Sequence, residues 1–394
     1  MSGTTWELND IRDAASGAAI LGSGGGGGYQ DALLIINELA LNPNWSGTVT
    51  VQAYDGVSPC SVIFMMGSPD AAGQMSLAEL SACIGNALSV QANVCGFTPN
   101  CTIPIETGPI NSLAPVIAAA LNLGGVSWVV DGDGAGRAVP ELPQTTYAGA
   151  EGLPVAPCVV ADNAVFASQM QSGVLTTTNT PKVEALAGAV VGAFGSFAGV
   201  SMWQSAASNG FALTDNYIPG TLEQSRALGR FLRTSLNTPS TAAVAAQISA
   251  LTGRSATAVV TNYYITQVKQ ATSSASLDAG VIRLDTDPDP GKSIATIYLY
   301  NMNENLIAYS SNQPAPLIVA PDSICYYSED EGAGFSNATP DLAVYYDFST
   351  NRSTGKKVSL IQVTAAAQLV ATPGVMQSFT TLLRSIGYAG ALPA

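Results

Sequence analysis

Gly125-Val-Ser-Trp-Val-Val-Asp-Gly-Asp-Gly-Ala-Gly-Arg-Ala-Val-Pro-Glu141 joins an apolar, β-branched run to a glycine-rich loop carrying three carboxylates and a guanidinium. The run Gly125 to Val130 reads as a buried strand. The loop should therefore leave the strand's C-terminal end, which is where α/β sheets bind their ligands. Three readings of the loop stay open. Asp131 and Asp133 can cap the turn's own amides. They can hold a divalent ion, with Glu141 as a further ligand. One of them can instead act as general base while the planar fork of Arg137 grips a substrate carboxylate. An EF-hand is excluded, because Ala135 occupies the fifth position and Leu142 the twelfth, where a bidentate glutamate is needed.

Composition narrows the chemistry around this loop. The 394 residues include no histidine, so Ser-His-Asp and Cys-His triads are excluded and the commonest metal ligand is missing. Acid and base roles fall to carboxylates, since 28 Asp and Glu stand against 14 Lys and Arg. A net charge of −14 repels nucleic acid and anionic membranes, which leaves a small molecule or another protein subunit as partner. With 47% hydrophobic and 11% charged residues, the chain can bury a large core. Cysteines at 60, 83, 95, 101, 158 and 325 form no Cys-x-x-Cys pair and read as buried free thiols of a reducing compartment. Neither a signal peptide nor an apolar run of about 18 residues is found, so a cytoplasmic protein is expected.

Periodicity divides the chain into an α/β domain over residues 1–175, with a mostly parallel or mixed sheet, and a second part over 176–394. That second part is expected to run as a helical segment (about 182–270), a β-rich domain (about 276–364) with flanking helices, and a C-terminal helix. In the first domain, helices are expected at 9–20 with Asn9 or Asp10 as N-cap, from about 29, at 76–90 and at 112–123, and strands at 47–53 and 61–66. The second helix should place Leu33, Leu34, Ile36, Leu39 and Leu41 on its apolar side. In the second part, the segments at 184–208, 222–236 and 240–252 are expected to pack on one another. Strands are expected at 281–284, 293–301, 306–309, 316–319 and 357–363, and a last helix at 375–386 stopped by Gly387.

Other stretches carry candidate chemistry. Leu21-Gly-Ser-Gly-Gly-Gly-Gly-Gly-Tyr29 feeds a helix N-terminus, a potential anion site. It lacks the Gly-Lys-Ser/Thr ending of a P-loop and follows a helix where a dinucleotide fold needs a strand. Close approach of its backbone, Gly24, Gly25, Gly26 and Gly27, to a small ligand is the preferred reading. Glu106, flanked by apolar residues in Ile105-Glu-Thr-Gly-Pro-Ile-Asn111, suits a buried catalytic acid with a raised pKa, and Asn111 suits a helix N-cap. Glu304, Asn305 and Asp322 read as turn residues on their own.

Taken in order, the glycine run, Glu106-x-Gly-x-x-Asn111, the 131–141 loop, Asn303-Glu-Asn-Leu306 and Pro321-Asp322 resemble a family long catalogued as a domain of unknown function. Some members of it are named S-methyl-thiohydantoin desulfurases, and it is often encoded beside hydantoinase/oxoprolinase proteins. The resemblance covers nearly the whole chain. Pro109, Pro143 and Ser323 depart from the family pattern.

The resemblance implies a two-part fold and a hydrolase-like activity on a five-membered cyclic amide or thioamide. It lends substrate-binding weight to Asn111, Glu304, Asn305 and Asp322. In that reading Asp131 or Asp133 activates water, directly or through a metal. Glu106 or Glu141 supplies a proton, Arg137 binds a carboxylate or imidate oxygen, and the glycine-loop amides stabilise negative charge. The alternative is a non-catalytic binding or accessory subunit of a hydantoinase/oxoprolinase-type partner; as assembly, a homo-oligomer and such a protein partner both stay open. Phosphate binding at the glycine loop is a third reading.

Overall fold

Two sheets, each covered by helices, organise the chain; the computed structural model describes residues 3–67, 75–195, 197–272 and 278–393. In the first half the strands are β1 (Thr4–Trp6), β2 (Val49–Gln52), β3 (Cys60–Gly67), β4 (Cys101–Pro104), β5 (Trp128–Val130), β6 (Gly132–Asp133), β7 (Cys158–Ala161), β8 (Ser172–Leu175) and β9 (Phe197–Ser205). The first sheet has the order β1-β2-β5-β4-β3-β9-β7-β8. Its centre, β2, β5, β4 and β3, is parallel, and β9 and β7 continue it antiparallel. Strand β3 is buried on both faces, which is why it reads as an unbroken apolar run. Ile63 and Met65 join one core, and Val62, Phe64 and Met66 the other.

Helices α1 (Leu8–Leu21), α2 (Tyr29–Ala40), α3 (Leu77–Cys95) and α4 (Pro109–Ala120) pack on the first of these faces. Helix α5 (Thr180–Ala193) packs on the second, placing Val183, Ala187 and Val191 in its core. Caps decide several boundaries differently from the sequence reading. Helix α1 starts after Glu7, whose amide donates to the Asp10 carboxylate. Asn111 lies inside α4, which begins at Pro109 behind Gly108. Helix α2 buries Ala32, Ile35, Ile36 and Leu39, whereas Leu34 and Leu41 are exposed.

The segment at 184–208 is part helix and part strand. Phe197–Ser205 is a central strand of the first sheet, so that sheet draws on residues beyond 176. Small residues there reflect close packing: a Cβ at Gly199 would overlap the Cys83 backbone of α3. Nor do the three segments form one helical layer, since α5 lies on the first sheet while α6 (Thr221–Thr234) and α7 (Thr241–Thr252) pack elsewhere.

The second sheet is antiparallel. Its strands are β11 (Ala256–Thr272), β12 (Asp278–Asp285), β13 (Thr296–Met302), β14 (Glu304–Ser310), β15 (Pro316–Val319), β16 (Ser323–Tyr327) and β19 (Lys357–Val363), in the order β15-β14-β13-β12-β11-β19-β16. A short β10 (Ile218–Pro219) pairs with β6, and β17 (Tyr346–Asp347) with β18 (Arg352–Ser353). Strand β11 occupies residues expected to be helical, because its Tyr, Val and Thr pair with both β12 and β19. The C-terminal helix α8 (Val375–Ser385) packs Phe379 and Leu383 beside Val139 and Leu306.

Helix α1 joins the two sheets. Ile11 and Ala14 belong to the first core, and Ile20 and Leu21 to the core formed by α6, α7, β16 and β19. Its crossing with α6 is backbone to backbone: a Cβ at Gly17 would overlap the Ser225 carbonyl, and one at Gly229 the Asp13 carbonyl. At the same seam Arg233 holds the buried Asp13 at 2.7 Å. Gly229→Ala is therefore expected to cost about 1–3 kcal/mol by overpacking, read as a lower denaturant midpoint with an unchanged m-value; an unaltered midpoint would refute this account of the crossing.

Candidate functional site

A pocket open at one side lies at the C-terminal ends of β3 and β4, between Gly26–Gly28 and Val139–Leu142. This is the edge where parallel strands present their ligand sites. Five carboxyls line it: Asp31, Glu106, Glu141, Glu184 and Glu304. Phe64, Met65, Met66, Met75, Ile110 and Phe197 supply the apolar wall. Among the described residues no lysine or arginine lines the pocket.

Glu106 follows β4 and is 5% exposed. One of its oxygens accepts from Asn111 Nδ2 at 2.7 Å and the other from the Val139 amide at 2.7 Å. Burial raises its pKa to about 7, against these two donors, which favour the ionised form. Glu304, at the start of β14, is 3% exposed, and among the described residues its Oε2 has no hydrogen-bond partner. Burial, with the neighbouring Glu106 charge, holds its carboxyl well above the usual range. Two carboxyls share one pocket, then; both oxygens of Glu106 are hydrogen-bonded, whereas Glu304 has only backbone donors. The Glu106 charge disfavours ionisation of Glu304, so their titrations are linked.

The glycine run makes this arrangement fit. A Cβ at Gly25 would overlap the Glu304 carboxyl, one at Gly26 would meet Gly108, and one at Gly27 would overlap Ile110. The Gly26 carbonyl accepts from the Ile110 and Asn111 amides at 2.9 and 3.1 Å, so the loop caps the start of α4. Gly24 faces Asn305 and Asn337. The N-terminus of α2 is already satisfied, as Asp341 accepts from the Tyr29 and Gln30 amides at 2.9 Å each. An internal carboxylate thus occupies the position that phosphate would need at this helix end.

The remaining sequence candidates stand in different surroundings. Asp133 is buried, accepts from the Ala135 and Gly136 amides at 2.7 and 2.6 Å, and takes a third hydrogen bond from the Thr107 hydroxyl. Asp131 accepts from the Glu223 amide at 3.0 Å at the start of α6, and burial raises its pKa to about 6. Neither lines the pocket. Among the described residues no group of three or more Asp, Glu or Cys side chains is placed to hold a metal.

Arg137 is fully buried. It donates to the carbonyls of Ala138, Asn305, Pro321 and Asp322 at 2.8–3.0 Å and sits over the Phe379 ring. Asp322 accepts from Gln362 Nε2 and the Ala365 amide, and Asn305 from Tyr326 and Asn337. All three brace the contact between the halves. Glu141 lines the pocket while pairing with Gln144 and Ser378, and burial raises its pKa.

Two lining acids had no sequence signal. Glu184 projects from α5 to accept from the Leu142 amide at 2.8 Å, and burial raises it to about 7. Asp31 sits in the first turn of α2, where an acid ordinarily serves only the helix dipole. It is 2% exposed and among the described residues its Oδ1 has no partner. Only its place directly after the glycine run could have marked it.

The folded-state pKa of Glu106 is raised, so its contribution to stability is full below the unfolded value near 4.5 and is lost as pH rises towards about 7. Glu106→Gln should therefore melt at a temperature that gains on wild type between pH 4.5 and 7.5; parallel curves across that window would contradict the assignment.

The fold is shared with a crystal structure of a protein from Chromobacterium violaceum, at a TM-score of 0.78 and 24% identity over 99% of each chain. No curated protein matches the chain. Family models for the S-Me-THD-like N-terminal domain and C-terminal domain match residues 9–171 and 177–375. On that coverage the chain belongs to the S-Me-THD-like family, that of the S-methyl-thiohydantoin desulfurase-like proteins.

Proposed function

We propose that the protein hydrolyses a five-membered cyclic amide or thioamide of the S-methyl-thiohydantoin class, releasing methanethiol and leaving the hydantoin. The observation that carries this reading is the Glu106–Glu304 pair facing one pocket with a thioether-rich wall. Ionised Glu106, held by Asn111 and Val139, takes a proton from water as the water oxygen bonds to ring C2. The C2–S bond then breaks, and neutral Glu304 protonates the departing sulfur. The second water proton ends on the ring nitrogen, and the proton on Glu106 returns to Glu304, so water and substrate become hydantoin and methanethiol with no other reactant. Met65, Met66 and Met75 offer soft, adaptable contact to a methylthio group.

In this reading the water-activating role passes from Asp131 or Asp133 to Glu106, because one oxygen of Asp133 is bonded by the amides of its own turn and the other by the Thr107 hydroxyl. Arg137 positions the 137–142 segment rather than gripping substrate, since its donors are spent on carbonyls.

Methanethiol release from a 5-alkyl S-methyl-thiohydantoin, followed with a thiol-reactive dye, tests the proposal. Glu106→Gln should lower kcat by about 100-fold or more with the fold retained, and Glu304→Gln should lower it comparably. Turnover by both variants at the wild-type rate would remove the pair from the chemistry. Absence of turnover by wild type, together with isolation only as a complex, would instead favour the accessory-subunit role. The pH profile of kcat/KM should be bell-shaped. Its rising limb lies near pH 7, where Glu106 ionises, and its falling limb lies higher, where Glu304 loses its proton.

A further inference from the structure

Of the five lining carboxyls, four have their electrostatics settled within the protein. Glu106 accepts two N–H donors, Glu141 pairs with Gln144, and Glu184 accepts from Leu142. Burial and the Glu106 charge hold the Glu304 carboxyl well above the usual range. Asp31 is raised less, to about 6, by burial and the nearby Asp341 charge. Its carboxyl accepts from the Met75 amide, yet Oδ1 is buried and, among the described residues, has no partner, in a side chain that lines the pocket. Leaving a buried carboxylate oxygen without a donor is costly, and the pocket itself supplies no lysine or arginine among the described residues.

The glycine run links the Asp31 carboxyl to the reacting pair. Gly25 lies against Glu304 and Gly28 against Asp31. The Cα atoms of these two glycines are at most about 10 Å apart, which puts both carboxyls in one pocket at a spacing that a ring with a short arm can bridge. Gly27, Ile110 and Met75 line the same pocket.

We infer that Asp31 is a specificity residue that binds a cationic, hydrogen-bond-donating arm, an ammonium or guanidinium, on the ring substrate, and that the pocket rejects rings bearing a carboxylate arm. The inference rests on reading the pocket as a ring site, but the Asp31 contact can be measured without turnover. A donor placed at Oδ1 satisfies the one bare anionic oxygen, and a charge-assisted hydrogen bond of this kind is among the stronger ones. A carboxylate arm would instead meet Asp31 beside Glu141 and Glu184 with no cation to offset it.

Calorimetric titration of the full chain with 5-(3-aminopropyl)hydantoin, 5-propylhydantoin and 5-(2-carboxyethyl)hydantoin tests this. The aminopropyl ring should bind about 10-fold or more tighter than the propyl ring, and the carboxyethyl ring weakest. In Asp31→Asn the aminopropyl ring should fall to the propyl level while the propyl ring binds as before. Equal binding of the aminopropyl and carboxyethyl rings to wild type overturns the inference even if the variant does not fold. So does an unchanged preference in Asp31→Asn. If no ring binds but n-butylammonium binds wild type and not Asp31→Asn, the Asp31 site stands and the ring reading fails. If neither the rings nor n-butylammonium bind wild type, the inference falls.

Discussion

The backbone from Gly24 to Gly27 runs through a gap with no room for a side chain, and the rest of the site depends on that close approach. On one side it meets Gly108 and Ile110 at the start of α4, and on the other Glu304, Asn305 and Asn337 of the second half. Positive φ values at Gly24, Gly26 and Gly27 let the chain make these turns in sequence. Because the same few residues touch both halves, the Glu106 side of the pocket and the Glu304 side are set relative to each other by backbone contact rather than by flexible side chains. An acid pair whose titration depends on separation needs that rigidity.

Buried polar contacts reinforce the seam. Arg137 crosses it with three hydrogen bonds to carbonyls, Asp341 crosses it to cap α2, and Arg233 crosses it to Asp13. Each places a charge where an unpaired partner would be costly, so the halves cannot slide without breaking several bonds at once. The 131–141 loop therefore has two tasks. Its first part, through Asp133, folds on itself; its last part, Val139 to Leu142, reaches the pocket and offers the Val139 amide to Glu106.

Legibility in the sequence followed the physical range of each interaction. The sheet's β3, the start of α2 and the glycine run were readable because local patterns, an unbroken apolar run and a glycine loop before a helix, decide them. Glu106 stood out as an isolated acid among apolar neighbours. By contrast, Phe197–Ser205 and most of Ala256–Thr272 did not declare themselves as strands, since their conformation is imposed by partners distant in the chain. Asp31 and Glu184 lacked any local mark, because an acid on a helix looks alike whether it faces water or a pocket.

By itself, the sequence determined the chemistry available. With no histidine and few cations, acid–base work falls to carboxylates, and the order of its motifs placed the chain in its family. Which carboxylates share a pocket, and which merely cap turns, was decided only in three dimensions. Asp131, Asp133 and Glu106 are equivalent as letters; they differ because β4 delivers Glu106 to the pocket edge while Asp133 is enclosed by its own turn. Ionisation depends on burial and on neighbours, and both are properties of the folded chain alone.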